Sequence, residues 1–160
     1  LAFSFGCTNQ LPAPRNSGLN TLLLSGSASP VPDIVALAAS GDPGYVDIPG
    51  ATGTGAFVVA TVNLGSTGQI TVSANTGAVT LPVTTPILVC QTSPTTSACL
   101  TPLAASVTTT IAANATPTFA IFVTGSGTVA NSPGVNRVFV VFTDSGGAPR
   151  GETSVAVQTK

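Results

Sequence analysis

A helix on a protein surface must turn a polar face to water, and this chain has little to build one from. Of its 160 residues, four are Lys or Arg, five are Asp or Glu, and none is His. The apolar mass is Val, Ala, Leu and Ile. The polar remainder is mostly Ser, Thr and Gly, and 17 Gly and 13 Pro punctuate the chain. Side chains of this kind, alternating between such breaks, suit pleated strands with one buried face.

The strands are legible from residue 56 onward. Segments 57–63, 69–74, 105–111, 118–124, 137–143 and 152–159 read as strands, with turns at 65–68, 75–77 and 145–149. Segments 78–83 and 87–91 read as strands broken by Pro82 and Pro86, which places them at an edge or a sheet switch. The most apolar two, 118–124 and 137–143, are expected at the centre. Upstream, 19–24 and 45–48 are strand candidates, and 33–39 reads as a strand or a short helical turn. Short strands at this spacing specify an all-β sandwich of about 7–10 strands with an extended N-terminal segment. The length fits one domain, 19–160, preceded by an apolar strand and Pro-rich tether over 1–18.

Residues 57–65 (FVVATVNLG), the pair Cys90 and Cys99, and residues 136–144 (NRVFVVFTD) carry a resemblance. From about Gly50 to Thr159 the chain resembles the immunoglobulin-like modules of uncharacterised secreted and surface proteins of bacteria. The resemblance implies an all-β, immunoglobulin-like β-sandwich and specifies no activity.

Cys90 and Cys99 flank a Pro-containing turn, where a disulfide is geometrically easy and stabilises by about 3 kcal/mol. Two buried free thiols are the alternative; a metal site lacks further ligands. A bridge implies an oxidising compartment. Cys7 is then an odd cysteine, free or paired between chains. A chain that starts at Leu1 and holds no methionine is expected where a leader has been cleaved, and no apolar run is long enough to span a membrane. Secretion to the extracellular space or cell surface is the expectation.

Chemistry has few candidates. A serine nucleophile has no histidine base, and the only lysine, Lys160, is the last residue, which also excludes a Lys–Asn isopeptide lock. Asp144 and Glu152 flank one hairpin and read as turn residues beside Arg150 rather than a glycosidase pair. Asp33, Asp42 and Asp47 lack the close spacing of a calcium loop and read as turn caps. Asn114-Ala115-Thr116 matches a glycosylation pattern and also suits a turn. With one Tyr (Tyr45) and no Trp, an aromatic platform for sugars is missing. No catalytic residue, cofactor or metal is expected, and without a basic patch neither is nucleic acid.

The functional content lies at the N-terminus. Leu1, Phe3, Phe5 and Cys7 alternate with Ala2, Ser4 and Gly6, giving a strand with one strongly apolar face. Such a peptide needs a groove, on its own sandwich or on a neighbour. Addition to a neighbour is head-to-tail and builds a filament if it does not close. The expected function is therefore that of a secreted structural subunit, a homo-polymer of an extracellular fibre or surface assembly. The alternative is a monomeric surface module binding glycans or proteins through loops near Tyr45 or 125–133.

Overall fold

The alternation of buried and exposed side chains expected of half-buried strands runs through the folded chain. In a computed structural model, which describes residues 8–9, 26–41 and 44–160, nine strands form: β1 Ile34–Ser40, β2 Tyr45–Ile48, β3 Thr54–Asn63, β4 Gly68–Asn75, β5 Leu88–Thr92, β6 Ser106–Ile111, β7 Thr118–Thr124, β8 Arg137–Asp144 and β9 Pro149–Thr159. No helix is found among the described residues, so none is long and apolar enough to cross a membrane. Leu1, Phe3, Phe5 and Cys7, the tether at 11–18, the strand expected at 19–24, and Asp42 lie outside the described residues.

The strands form two sheets. The first has the order β1-β3-β7-β5, the second β2-β9-β8-β4-β6. All described pairings are antiparallel except that of β2 with β9. This is an immunoglobulin-like β-sandwich. The first sheet follows the A-B-E-D order of such folds, and β9-β8-β4 follows G-F-C. The opening strand is split between the sheets: β1 pairs with β3 in one, and β2 with β9 in the other.

The core is Val-, Ile- and Phe-rich and lies between the sheets. Phe119 of the first sheet meets Phe142 of the second edge to face, with ring centroids 5.8 Å apart. As expected, 118–124 (β7) and 137–143 (within β8) are interior strands. The segment 33–39 resolves to a strand, β1.

Segment 78–83 is a correction: it makes no strand. Leu81 and Val83 are buried as its alternation demands. Pro82 has no N–H to give a ladder, however, and the local bonds are turn-like, Val79 N–H to Thr76 O and Val83 N–H to Leu81 O. A single bridge joins Val83 to Gly125.

Asn63, at the end of β3, is fully buried. Its Nδ2 donates to the carbonyls of Ser66, Ile111 and Ala112 at 2.9, 3.1 and 3.3 Å. Its Oδ1 accepts from the Asp33 and Gly65 N–H groups, each at 3.0 Å. One amide thus ties the entry to β1, the β3–β4 turn and the end of β6 together, with its polar atoms all paired. A buried amide so fully partnered fixes one register, because any slip leaves several groups unpaired.

Candidate assembly surface

The two outer faces of the sandwich differ in kind. The strands of the first sheet read IVALAAS, TGAFVVATVN, TFAIFVT and LVCQT and hold no charged residue. Every charged strand residue belongs to the second sheet: Asp47 on β2, Arg137 and Asp144 on β8, Arg150 and Glu152 on β9.

Register shows what the first sheet presents to water. Val35 lies opposite Val62, Leu37 opposite Ala60, and Ala39 opposite Val58. Ala56 lies opposite Phe122 and Val58 opposite Ala120. These side chains share the outer face, since Phe57, Val59, Ile121 and Val123 of the same strands point into the core. Leu37 is 70% exposed, Val35 51% and Val58 39%. β1 and β3, with Phe122 of β7 beside them, thus display an apolar surface. Isolated apolar side chains on a surface are ordinary; a contiguous patch of them is a candidate interaction surface.

The two edges of that sheet are also unlike. At β5, residues 98–104 return along the strand and satisfy it. Val89 and Ala104 exchange both backbone bonds, at 2.8 and 3.1 Å. The Leu100 N–H donates to Gln91 O at 2.7 Å, and the Gln91 N–H donates to Thr101 Oγ1 at 3.0 Å. The Cys90–Cys99 disulfide pins this return. The bridge expected from the sequence therefore forms, and it closes an edge. At β1, no described strand pairs on the side away from β3, but β9 of the other sheet lies beside it, so close that a side chain on Gly151 would strike the Ile34 carbonyl.

The polar candidates are placed as follows. Asp144 is held below the usual carboxylate range, first by the Ala148 N–H, then by Arg150 and the Gly146 N–H. Its Oδ1 accepts from Gly146 and Ala148, both at 2.9 Å, and its Oδ2 pairs with Arg150 at 2.7 Å. Both oxygens serve the β8–β9 turn. Glu152 stands on β9 opposite Val141. Asp47 accepts from Gln158 and Lys160, each at 2.7 Å, and Asp33 is exposed just before β1. Among the described residues no group of three His, Cys, Asp or Glu side chains is placed to hold a metal. Asn114 is exposed, with a left-handed φ of 63°, a conformation Asn tolerates in turns. Tyr45 is half-buried at the start of β2.

Arg137 was not singled out by its sequence context. It is buried, and that burial lowers its pKa. It donates to Ser154 Oγ, Ser154 O and Pro133 O at 3.0, 3.0 and 2.8 Å, anchoring the loop before β8 to β9.

No family model matches the chain, and no curated protein matches it. Among solved structures, a β-glucosidase from Listeria innocua in complex with isofagomine aligns with 81% of this chain at 13% identity and a TM-score of 0.32. This chain spans 16% of that protein. A non-cellulosomal cohesin from the hyperthermophilic archaeon Archaeoglobus fulgidus aligns with 79% of this chain and 86% of its own at 14% identity and a TM-score of 0.28. Likenesses at that level bear on neither activity nor partner.

Proposed function

We propose that this protein is a secreted structural subunit that joins copies of itself into an extracellular fibre or surface assembly through its N-terminal strand, Leu1, Phe3, Phe5 and Cys7. The observation that carries the reading is the uncharged apolar outer face of the first sheet. The Cys90–Cys99 bridge supports an oxidising compartment, hence the extracellular placement. A non-catalytic role agrees with a chain that has no histidine and whose Asp144 and Asp47 serve as turn and strand-end partners.

Electron microscopy of the native protein and of a form lacking residues 1–8 tests this reading. Filaments or regular polymers are expected from the first, and folded monomers from the second. Polymers that survive the truncation would remove the N-terminal strand from the assembly. Uniform small particles from the native protein would favour a monomeric surface module that binds glycans or proteins.

A further inference from the structure

We infer that the Cys90–Cys99 disulfide is a redox latch: reduction by a dithiol lifts residues 98–104 from β5 and opens that edge of the first sheet, while the sandwich beneath stays folded. The inference goes beyond the assembly reading above and does not depend on it.

The cover is held by few bonds and little burial. Val89 and Ala104 exchange two backbone bonds, the Leu100 N–H donates to Gln91 O, and the Ser93 N–H donates to Ala98 O at 2.9 Å. The Gln91 N–H finds a hydroxyl, Thr101 Oγ1, in place of a carbonyl. Pro102, in the middle of the segment, has no N–H to offer. None of residues 98–104 is buried, and the two large apolar side chains, Leu100 and Leu103, are exposed. Apolar burial, which holds the strands together, therefore does almost nothing for this segment. A handful of hydrogen bonds, each contributing little net in water, is of the same order as the entropy of fixing its backbone. The covalent bond tips the balance, because joining Cys99 to Cys90 removes most of the freedom the segment would gain on leaving.

The strand beneath is held in another way. Ile87 and Val89 belong to the core. Leu88, Cys90 and Thr92 pair with Phe122, Ala120 and Thr118 of β7, and Thr92 and Thr118 share a hydroxyl bond at 2.7 Å. Val89 and Gln91 turn their backbone groups to the cover, so the alternation of an antiparallel ladder turns those of Leu88, Cys90 and Thr92 to β7. β5 thus keeps its place when the cover leaves.

The chemistry has a direction. Cys90 is fully buried, whereas Cys99 is exposed. A thiolate of the dithiol attacks the Cys99 sulfur, and the Cys90 thiolate leaves and takes up a proton. The second thiol of the reductant then resolves the mixed disulfide and frees the Cys99 thiol. The protein gains two electrons and two protons, and the dithiol ends as a disulfide. The open form presents the N–H and C=O groups of Val89 and Gln91 to solvent, a row on which a further strand can pair.

Hydrogen exchange on the full chain, oxidised and then in excess dithiol, tests the latch. In the oxidised protein the Leu100, Ala104, Val89 and Gln91 amides should be protected on the order of 100-fold beyond the reduced form, the factor that loop-closure entropy assigns to such a bridge. On reduction they should exchange within about tenfold of the unstructured rate, while the Cys90 amide and those of β7 stay at least about 100-fold slower than that rate. Cys90→Ser with Cys99→Ser should show the reduced pattern without any dithiol. If that variant does not fold, the reduced unaltered chain decides alone. Cover amides that stay protected once both thiols have formed overturn the latch. A Cys90 amide that loses protection together with Val89 and Gln91 overturns it as well, since β5 then leaves with its cover, and so does a loss of protection throughout the body.

Discussion

The outer faces of the two sheets enclose the same core yet obey opposite rules. On the second sheet, Thr71 and Thr108 share a hydroxyl bond at 2.8 Å, and Arg150 closes on Asp144. Its remaining outward positions include Gln69, Ser73, Thr110 and Glu152, with the half-buried Phe139 and Val141 of β8 between them, a surface more polar than that of the first sheet. On the first, Val35, Leu37, Val58 and Phe122 share the outer phase, with no charge among the strands. Inward-facing positions cannot distinguish the sheets, since both supply Val, Ile and Phe to one core. Stability therefore sets the inner faces, and what each surface is destined to meet sets the outer ones.

Four changes would break or sharpen that contrast. The largest effect is expected at Asn63, which binds elements of both sheets. Asn63→Ala strands two N–H groups and three carbonyls, and should cost about 3–5 kcal/mol or prevent folding; a denaturant midpoint close to wild type would show that water replaces the amide. Next is the staple on the closed edge. Cys90→Ser with Cys99→Ser should lose about 3 kcal/mol, visible as a lower melting midpoint that reducing agent no longer shifts.

Third, a charge on the apolar face should act on association and spare the fold. Leu37→Glu should change stability by no more than about 0.5 kcal/mol while sharply weakening self-association by light scattering; Thr108→Glu on the other sheet should leave self-association unchanged. The smallest effect concerns acid. Asp144 has a depressed pKa, so its contribution is present above the unfolded carboxylate value near 3.9 and fades as pH falls through the folded value. Asp144→Asn should flatten the acid limb of the stability profile, and an unchanged limb would assign that loss to other carboxylates.

The legible parts of the chain were those where one physical signal dominates. Alternation marked β3, β4, β7 and β8, and the interior placement of β7 and β8 followed from their apolar content. Segment 78–83 shows where alternation misleads: its apolar positions are buried, but burial does not require a ladder. The apolar run from 99 to 103 likewise makes no strand, and follows β5 as an irregular edge cover. The role of Asn63 was hidden because a polar residue closing an apolar strand looks like an ordinary boundary; only the return of the chain at 111–112 supplies its partners. The apolar outer face was spelled out in β1 and β3, where apolar residues occupy both phases of the alternation, yet sequence alone does not say which phase faces water.

The split opening strand has a mechanical consequence. β2 runs parallel to β9, with Tyr45 beside Ala156 and Ile48 beside Thr159. The chain enters through β1 and β2, and the described body ends just past β9 at Lys160. A pull that separates these two ends slides β2 along β9 instead of peeling it away. Bonds that run across the direction of sliding share the load and must rupture together, whereas a peeled hairpin yields one bond at a time. A body loaded through these two ends would therefore resist first where β2 lies along β9.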